Sequence, residues 1–328
     1  MEDTKDPLKL GRCRVRCVGY HTPDKAKIKT SDLPWATPLQ SIVSASVSGI
    51  GISPTGLLQG SHVFGFFRDG KEGQMPVILG SFAGIPNQKN PADSGFSDPD
   101  GKYPLEEETP YGNSVVGESD VSRLARGEKT EETIVQYKKD NVTKDIPIAN
   151  EESVKWSEPE TPYKAEYPHN KVFQTESGHV VEFDDTPGAE RIHVFHKSGT
   201  FHEIHPNGSV VQKIEKDNYK VVLGNDFVNV EGSAVVNVKG QAFVKVDGAC
   251  SLDISGNLSA DINGNEINAV SEGKMTILSK GDLILGSAGK VEISGSEIKL
   301  GIDTDPTKGS IAINSSGIQI KAPGIDLN

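Results

Sequence analysis

Aromatic residues make up 6% of the 328 residues, two of them tryptophan, and there are three cysteines. So few rings argue against the stacking platforms that single-stranded nucleic acid needs. An odd number of cysteines cannot form a complete disulfide framework. Cys13 and Cys17 stand four apart on one face of the strand CRVRCV, roughly 13 Å from each other, so they cannot bond while that strand is intact. They read as small core hydrophobes, as does Cys250, and a CxxxC spacing without further cysteines nearby is a weak metal signal. No run is long enough to span a bilayer, and MEDTKDPLKLGR has no apolar core segment, so neither an anchor nor a cleavable signal is expected. Positive charge is also scarce: the net charge is −12, with the acids concentrated between residues 100 and 168. That balance weighs against nucleic acid as a partner.

Glycine is abundant, at 35 residues, and in one stretch it is periodic: Gly224, Gly232, Gly240, Gly248, Gly256 and Gly264 recur every eight residues. Two residues before each stands Val222, Val230, Val238, Val246, Ile254 or Ile262. A β-branched residue suits an extended run, and a glycine marks a corner where φ can be positive. From 228 to 262 the even positions are largely apolar, including Val236, Val244 and Leu252, while the odd ones are mostly polar. This is the period-two signature of strands with one buried face. After Gly264 the apolar parity becomes odd, which implies one extra residue near Asn265 or Glu266 acting as a bulge.

Eight residues at about 3.3 Å each give a perimeter of roughly 26 Å, too narrow for the ~10 Å that two packed sheet faces need. Three chains contributing one octad per turn supply roughly 80 Å and three faces. The period therefore calls for an intertwined homotrimer with an aliphatic interior. A calcium-binding glycine-rich solenoid has a nine-residue period with aspartate two places after glycine. Here those places hold Asp226, Ala234, Ala242, Cys250, Leu258 and Glu266.

The N-terminal region is different. GRCRVRCVGYH, SIVSASVSGIG, SHVFGFFRDG and MPVILGSF read as short strands separated by Gly and Pro signals, which suggests a small closed barrel. In the first of them Arg12, Arg14 and Arg16 are expected on the solvent face. Residues 11–20, 33–36 (LPWA), 63–70 and 76–80 together resemble the oligonucleotide/oligosaccharide-binding (OB) barrel that begins the cell-puncturing spikes of contractile-tailed (myovirus) phages. ESGHVVEFDDTPGAERIHVFHKSGTFHEIHPNGSVV, followed by the octads, resembles the same spikes and the valine–glycine repeat spikes of type VI secretion.

The expected fold is all-β: an OB-fold barrel over 1–84, an extended acidic linker with short helices around 121–125 and 133–139 over 85–168, a β-rich neck over 169–223, and a trimeric β-helix needle over 224–328. The linker is too short for the lysozyme domain that some relatives carry, so no enzymatic activity and no cofactor are expected. Six of the eight histidines, His169, His179, His193, His196, His202 and His205, fall in the neck and read as structural. The resemblance implies a baseplate spike of the virion tail, assembled in the host cytoplasm. It would bind a hub protein at its OB end, meet the host envelope transiently, and have no nucleic-acid partner. Ile318, Ile320, Ile325 and Leu327 keep the C-terminus apolar, and because no histidine follows His205, the resemblance points to a separate PAAR-type (proline–alanine–alanine–arginine repeat) tip protein there. The rival readings are a tail-fibre adhesin or polysaccharide depolymerase, which needs aromatic platforms where residues 224–328 hold Phe227 and Phe243 alone, or a type VI effector carrier.

Overall fold

A computed structural model of the chain describes residues 1–88, 116–128, 134–149, 151–264, 266–301, 310–314 and 317–321. The chain divides into two units, Met1–Phe243 and Val244–Asn328. Among the described residues no helix is long and apolar enough to cross a membrane.

The first unit begins with a four-stranded sheet, β1 (Cys13–Arg14), β2 (Trp35–Pro38), β3 (Val63–Phe67) and β4 (Pro76–Ser81), in the order β1-β2-β4-β3. Met1, Cys13, Val15, Ala36 and Ile78 form its core. β1 and β3 are the edges of this sheet, and among the described residues they do not pair with each other. At Cys17 the chain after β1 turns away, the Cys17 N–H donating to His21 Nδ1 at 2.9 Å while the His21 N–H returns to the Cys17 carbonyl. The expected solvent face of arginines is also corrected. Arg16 is buried against Glu2 at 2.6 Å, Arg12 pairs with Asp6 at 2.7 Å, and Arg14 donates to the Leu33 carbonyl and lies 4.4 Å from the Trp35 ring centre. Each guanidinium is satisfied inside the domain.

A meander of five antiparallel strands follows: β7 (Asn170–Gln174), β8 (Val180–Asp184), β9 (Arg191–Phe195), β10 (Phe201–Ile204) and β11 (Val210–Lys213). Its hairpins turn through Gly178, Gly188, Gly199 and Gly208, all at positive φ, where any side chain would be strained. One sheet face is covered by two short helices, α1 (Arg123–Arg126) and α2 (Ile134–Asp140), which pack Leu124 and Ile134 with Tyr163 against Val180, Phe195, Phe201 and Val211. Part of the segment expected to be an extended linker is thus folded onto the neck; its acidic and proline-rich composition hid two isolated apolar anchors. Between the helices and the sheet, β5 (Ile146–Ile148) and β6 (Glu151–Trp156) form a hairpin.

The repeat places a bend at each of Gly224, Gly232, Gly240, Gly248, Gly256 and Gly264, and again at Gly273, Gly281 and Gly289. The step from Gly264 to Gly273 is nine residues, which accounts for the change of parity. None of these glycines has positive φ, contrary to expectation. Among the described residues the octads form no strands within the chain, because each extended run has no neighbour in the same chain to pair with. Beyond residue 296 the octad pattern stops. There β12 (Glu297–Gly301), β13 (Ser310–Asn314) and β14 (Gly317–Lys321) form an antiparallel meander whose register aligns Ile298, Ile313 and Ile318 in one row and Leu300, Ile311 and Ile320 in another.

Candidate functional site

The repeat is the largest candidate surface. Val236 is 84% exposed and Val244 91%, and Val230, Val238, Val246, Leu252, Ile254 and Ile262 are exposed as well. A Cβ added at Gly224, Gly232, Gly240, Gly248 or Gly256 would meet nothing within 4 Å. Neither backbone strain nor crowding within the chain explains why glycine recurs there. Of the four positions expected to bind a tip protein, Ile318 and Ile320 fall in β14, whereas Ile325 and Leu327 lie outside the described residues.

The neck has two unlike faces. On the uncovered one stand Phe173, Phe183, Ile192, Val194 and Val210, all exposed. The covered one holds a charge network. Arg191 bridges two carboxylates, Glu182 at 2.7 Å and Glu203 at 2.8 Å. Glu182 also accepts from Asn170 and lies 2.6 Å from His193 Nδ1. Glu203 takes Lys138 from α2 at 2.5 Å and the Thr161 hydroxyl at 2.9 Å. Lys138 further lies 4.1 Å from the centre of the Phe201 ring. Two carboxylates face one guanidinium and one ammonium, so the cluster is neutral when His193 is neutral, as burial of this depth demands.

Burial opposes ionisation of Glu182, but His193 and Arg191 outweigh it and hold the carboxyl at about 2. Burial likewise opposes ionisation of Glu203, and Lys138, His193 and Arg191 keep it at about 2. Burial pulls His193 below its usual range despite Glu182, and pulls Lys138 down to about 8 despite Glu203. As pH falls through 6.5, unfolded chains take up a proton at His193 that the folded neck does not. Between pH 4.5 and 2 they take up protons at both glutamates. Each step lowers stability, the carboxylates by on the order of a few kcal/mol each. Lys138, also lowered, acts in the same sense but only between pH 10.5 and 8, and so leaves the acid limb alone. Hydrogen exchange over residues 170–213, corrected for intrinsic rates, should show the neck opening more readily at pH 4 than at pH 7. Equal protection at both would contradict the assignment.

The histidines separate into several environments. His193 is in the network, His205 lies 3.2 Å from Glu203, and His179 and His196 face each other with ring centres 4.5 Å apart. His169 and His202 are exposed. Among the described residues no group of three or more His, Cys, Asp or Glu side chains is placed to hold a metal. The network itself was missed from sequence. Its signal was the alternation Val180, Glu182, Asp184 against Val181, Phe183, from which the apolar set reads as the inside.

The N-terminal sheet carries the third surface, with Phe64, Phe66 and Phe82 exposed beside β3. Residues 19–171 match the family model described as the Gp5 N-terminal OB domain. The chain is 42% identical over 258 residues to Protein Gp5 of Vibrio phage KVP40, covering 70% of this chain and 59% of that protein. The chain is thus similar to a phage Gp5 protein over more than two thirds of its own length. It is also 48% identical over 109 residues to the pre-baseplate central spike protein Gp5 of Enterobacteria phage T4, covering 32% of this chain and 19% of that one. The chain thus spans about three fifths and about one fifth of the lengths of these two relatives. The match of 19–171 to the OB model runs past the four-stranded sheet into α1, α2 and the first neck strand.

Proposed function

We propose that this chain is the central spike of a contractile tail baseplate, a homotrimer that is driven through the host envelope when the sheath contracts. The observation that carries the reading is the repeat. Its aliphatic positions are uncovered and its glycines serve no purpose within one chain, so both make sense once other copies supply the missing neighbours. Exposed apolar surface on this scale marks an interface. The uncovered face of the neck points the same way: Phe183, Ile192 and Val194 bear no charge that symmetry-related copies would bring into repulsion.

In such a trimer each octad pairs with strands of two other chains, and an axial load must break hydrogen bonds to both before a strand can leave. Mechanical function follows from that interlocking, and no catalytic group takes part. The OB end would face the hub, and the C-terminal end would receive a PAAR-type tip protein. The terminal meander modifies this last point, since paired strands offer a tip protein a sheet edge rather than a ring of open ones.

Light scattering of the purified chain should give three times 35.1 kDa. The same sample should fail to clear peptidoglycan suspensions, and deletion of residues 318–328 should abolish co-purification with the tip protein while leaving the trimer intact. A folded monomer would overturn the reading, and clearing abolished by one Glu substitution would overturn its non-enzymatic part.

A further inference from the structure

The N-terminal sheet and the neck are joined by residues that belong to neither. On one side, the Asp120 N–H donates to the Gly84 carbonyl while the Gly84 N–H donates to the Asp120 carboxylate, and the Gly117 N–H donates to the Pro86 carbonyl. On the other side α1 is clasped by the neck. The Leu124 carbonyl accepts from the Tyr163 hydroxyl at 2.8 Å and from the Asn170 side chain at 3.0 Å, and the Leu124 side chain is buried in the neck core. Further along, α2 brings Ile134 into the same core and Lys138 to Glu203. The chain runs from one sheet to the other through these elements, so a pull between the two ends falls on their contacts with the neck.

Those contacts differ in kind from the ones inside the meander. β8 and β9 are paired from Val180–Phe195 to Asp184–Arg191, and the ladders continue through β10 to β11, so separating any two strands breaks several backbone bonds together. The helices instead sit on the neck by side chains, with one buried apolar anchor each. α1 has four residues and α2 seven, too short to keep helical form without the surface beneath them. The covered face is also inexpensive to uncover. Its middle row across the strands reads Val172, Glu182, His193, Glu203, Val211, and charges exposed there regain the water that burial took from them. Nε2 of His193, Nε of Arg191 and Oδ1 of Asn170 are buried without a hydrogen-bond partner among the described residues, and lifting the cover hydrates them too. Openings of such a unit lie below global unfolding in free energy.

We propose that α1, α2 and the segment from α2 to β7 form a release joint: under tension they lift off the neck while its five strands stay paired. The N-terminal sheet and the needle then move apart on one unbroken chain, and residues 134–168 alone, drawn out, span at most roughly 120 Å. The proposal rests on the spike reading above, in which the baseplate holds one end while the needle meets the envelope.

The test is thiol labelling of the full-length protein carrying Val180→Cys, a position 1% exposed beneath the cover, beside hydrogen exchange of β8 and β9 in the same variant. Cys250 is exposed, labels at once and is told apart by peptide mapping. The opening constant read from the thiol at position 180 should exceed the one read from the strand amides at least tenfold. Adding Leu124→Ala should raise the first at least tenfold and leave the second and the oligomer mass unchanged. Val211→Cys lies in the same core and serves if the first variant does not fold. Pulling one chain between the exposed Lys27 and Asn207 should give a first lengthening step at a force that Leu124→Ala lowers. A thiol at position 180 that opens only together with the strands, or a first step that Leu124→Ala does not move, would overturn the joint and leave the spike reading standing. A folded monomer in light scattering would overturn the spike reading, and with it the load, even where the labelling is as expected.

Discussion

Replacing Val238 by aspartate should abolish the assembled spike, whereas replacing the adjacent Lys239 by aspartate should leave it intact. In one chain both positions are exposed, so nothing within the chain separates them. Parity separates them, because Val238 belongs to the even, apolar set two residues before Gly240 and Lys239 to the odd, polar set. In a threefold coil the even set faces the axis, and one substitution places three carboxylates in a single layer. Unpaired burial costs several kcal/mol per charge, far more than one layer of valines contributes. A change at a solvent-facing position away from special features is usually worth within about 0.5 kcal/mol. V238D should therefore lose the trimer by light scattering and melt far below the parent, and K239D should melt with it. Equal losses would refute the parity, and no loss in either would refute the trimer.

How much was readable in the sequence depended on whether a residue's environment came from its near neighbours. The octads were readable because one short unit repeats and its parity is unmistakable. Their lack of strand pairing within a chain follows from the same eight-residue limit that makes a single-chain coil too narrow. The turn between β8 and β9 is local in the same sense, since Thr186-Pro187-Gly188 leaves the backbone little choice. The arginines in and around β1 were misread because alternation places a side chain on a face without saying what will cover that face. Glu2 and Asp6, from the segment before β1, supply the partners that draw Arg16 and Arg12 in. The neck failed in the same way on a larger scale. Its polar side is buried because α1 and α2 carry Leu124, Ile134 and Lys138 onto it from residues more than 30 positions upstream, and no local pattern announces such a return.

The charge network makes the second large effect testable. Substituting Arg191 with methionine should destabilise the neck by about 3–5 kcal/mol, because it keeps the volume of the side chain while leaving two buried carboxylates short of their shared cation. Glu203 would retain Lys138 and Thr161, and Glu182 would retain Asn170 and His193. Two acids would then face one permanent positive charge, so one of them must either be protonated or draw a proton onto His193. Either event raises the proton affinity of the folded neck, which reverses the sign of its acid dependence: the parent loses stability as pH falls below 6.5, while R191M should recover part of its deficit over the same range. Hydrogen exchange over residues 170–213 at pH 7 and pH 5 measures both, with the gap between parent and variant expected to narrow at the lower pH. The quadruple variant K138M/E182Q/R191M/E203Q should regain most of the lost stability at pH 7, since a buried ion cluster exchanged for neutral groups of similar volume is often close to neutral in free energy. A gap between R191M and parent that stays constant with pH would mean that Arg191 acts through its packing on Tyr163, whose ring centre lies 5.0 Å from the guanidinium, and not through the two carboxylates.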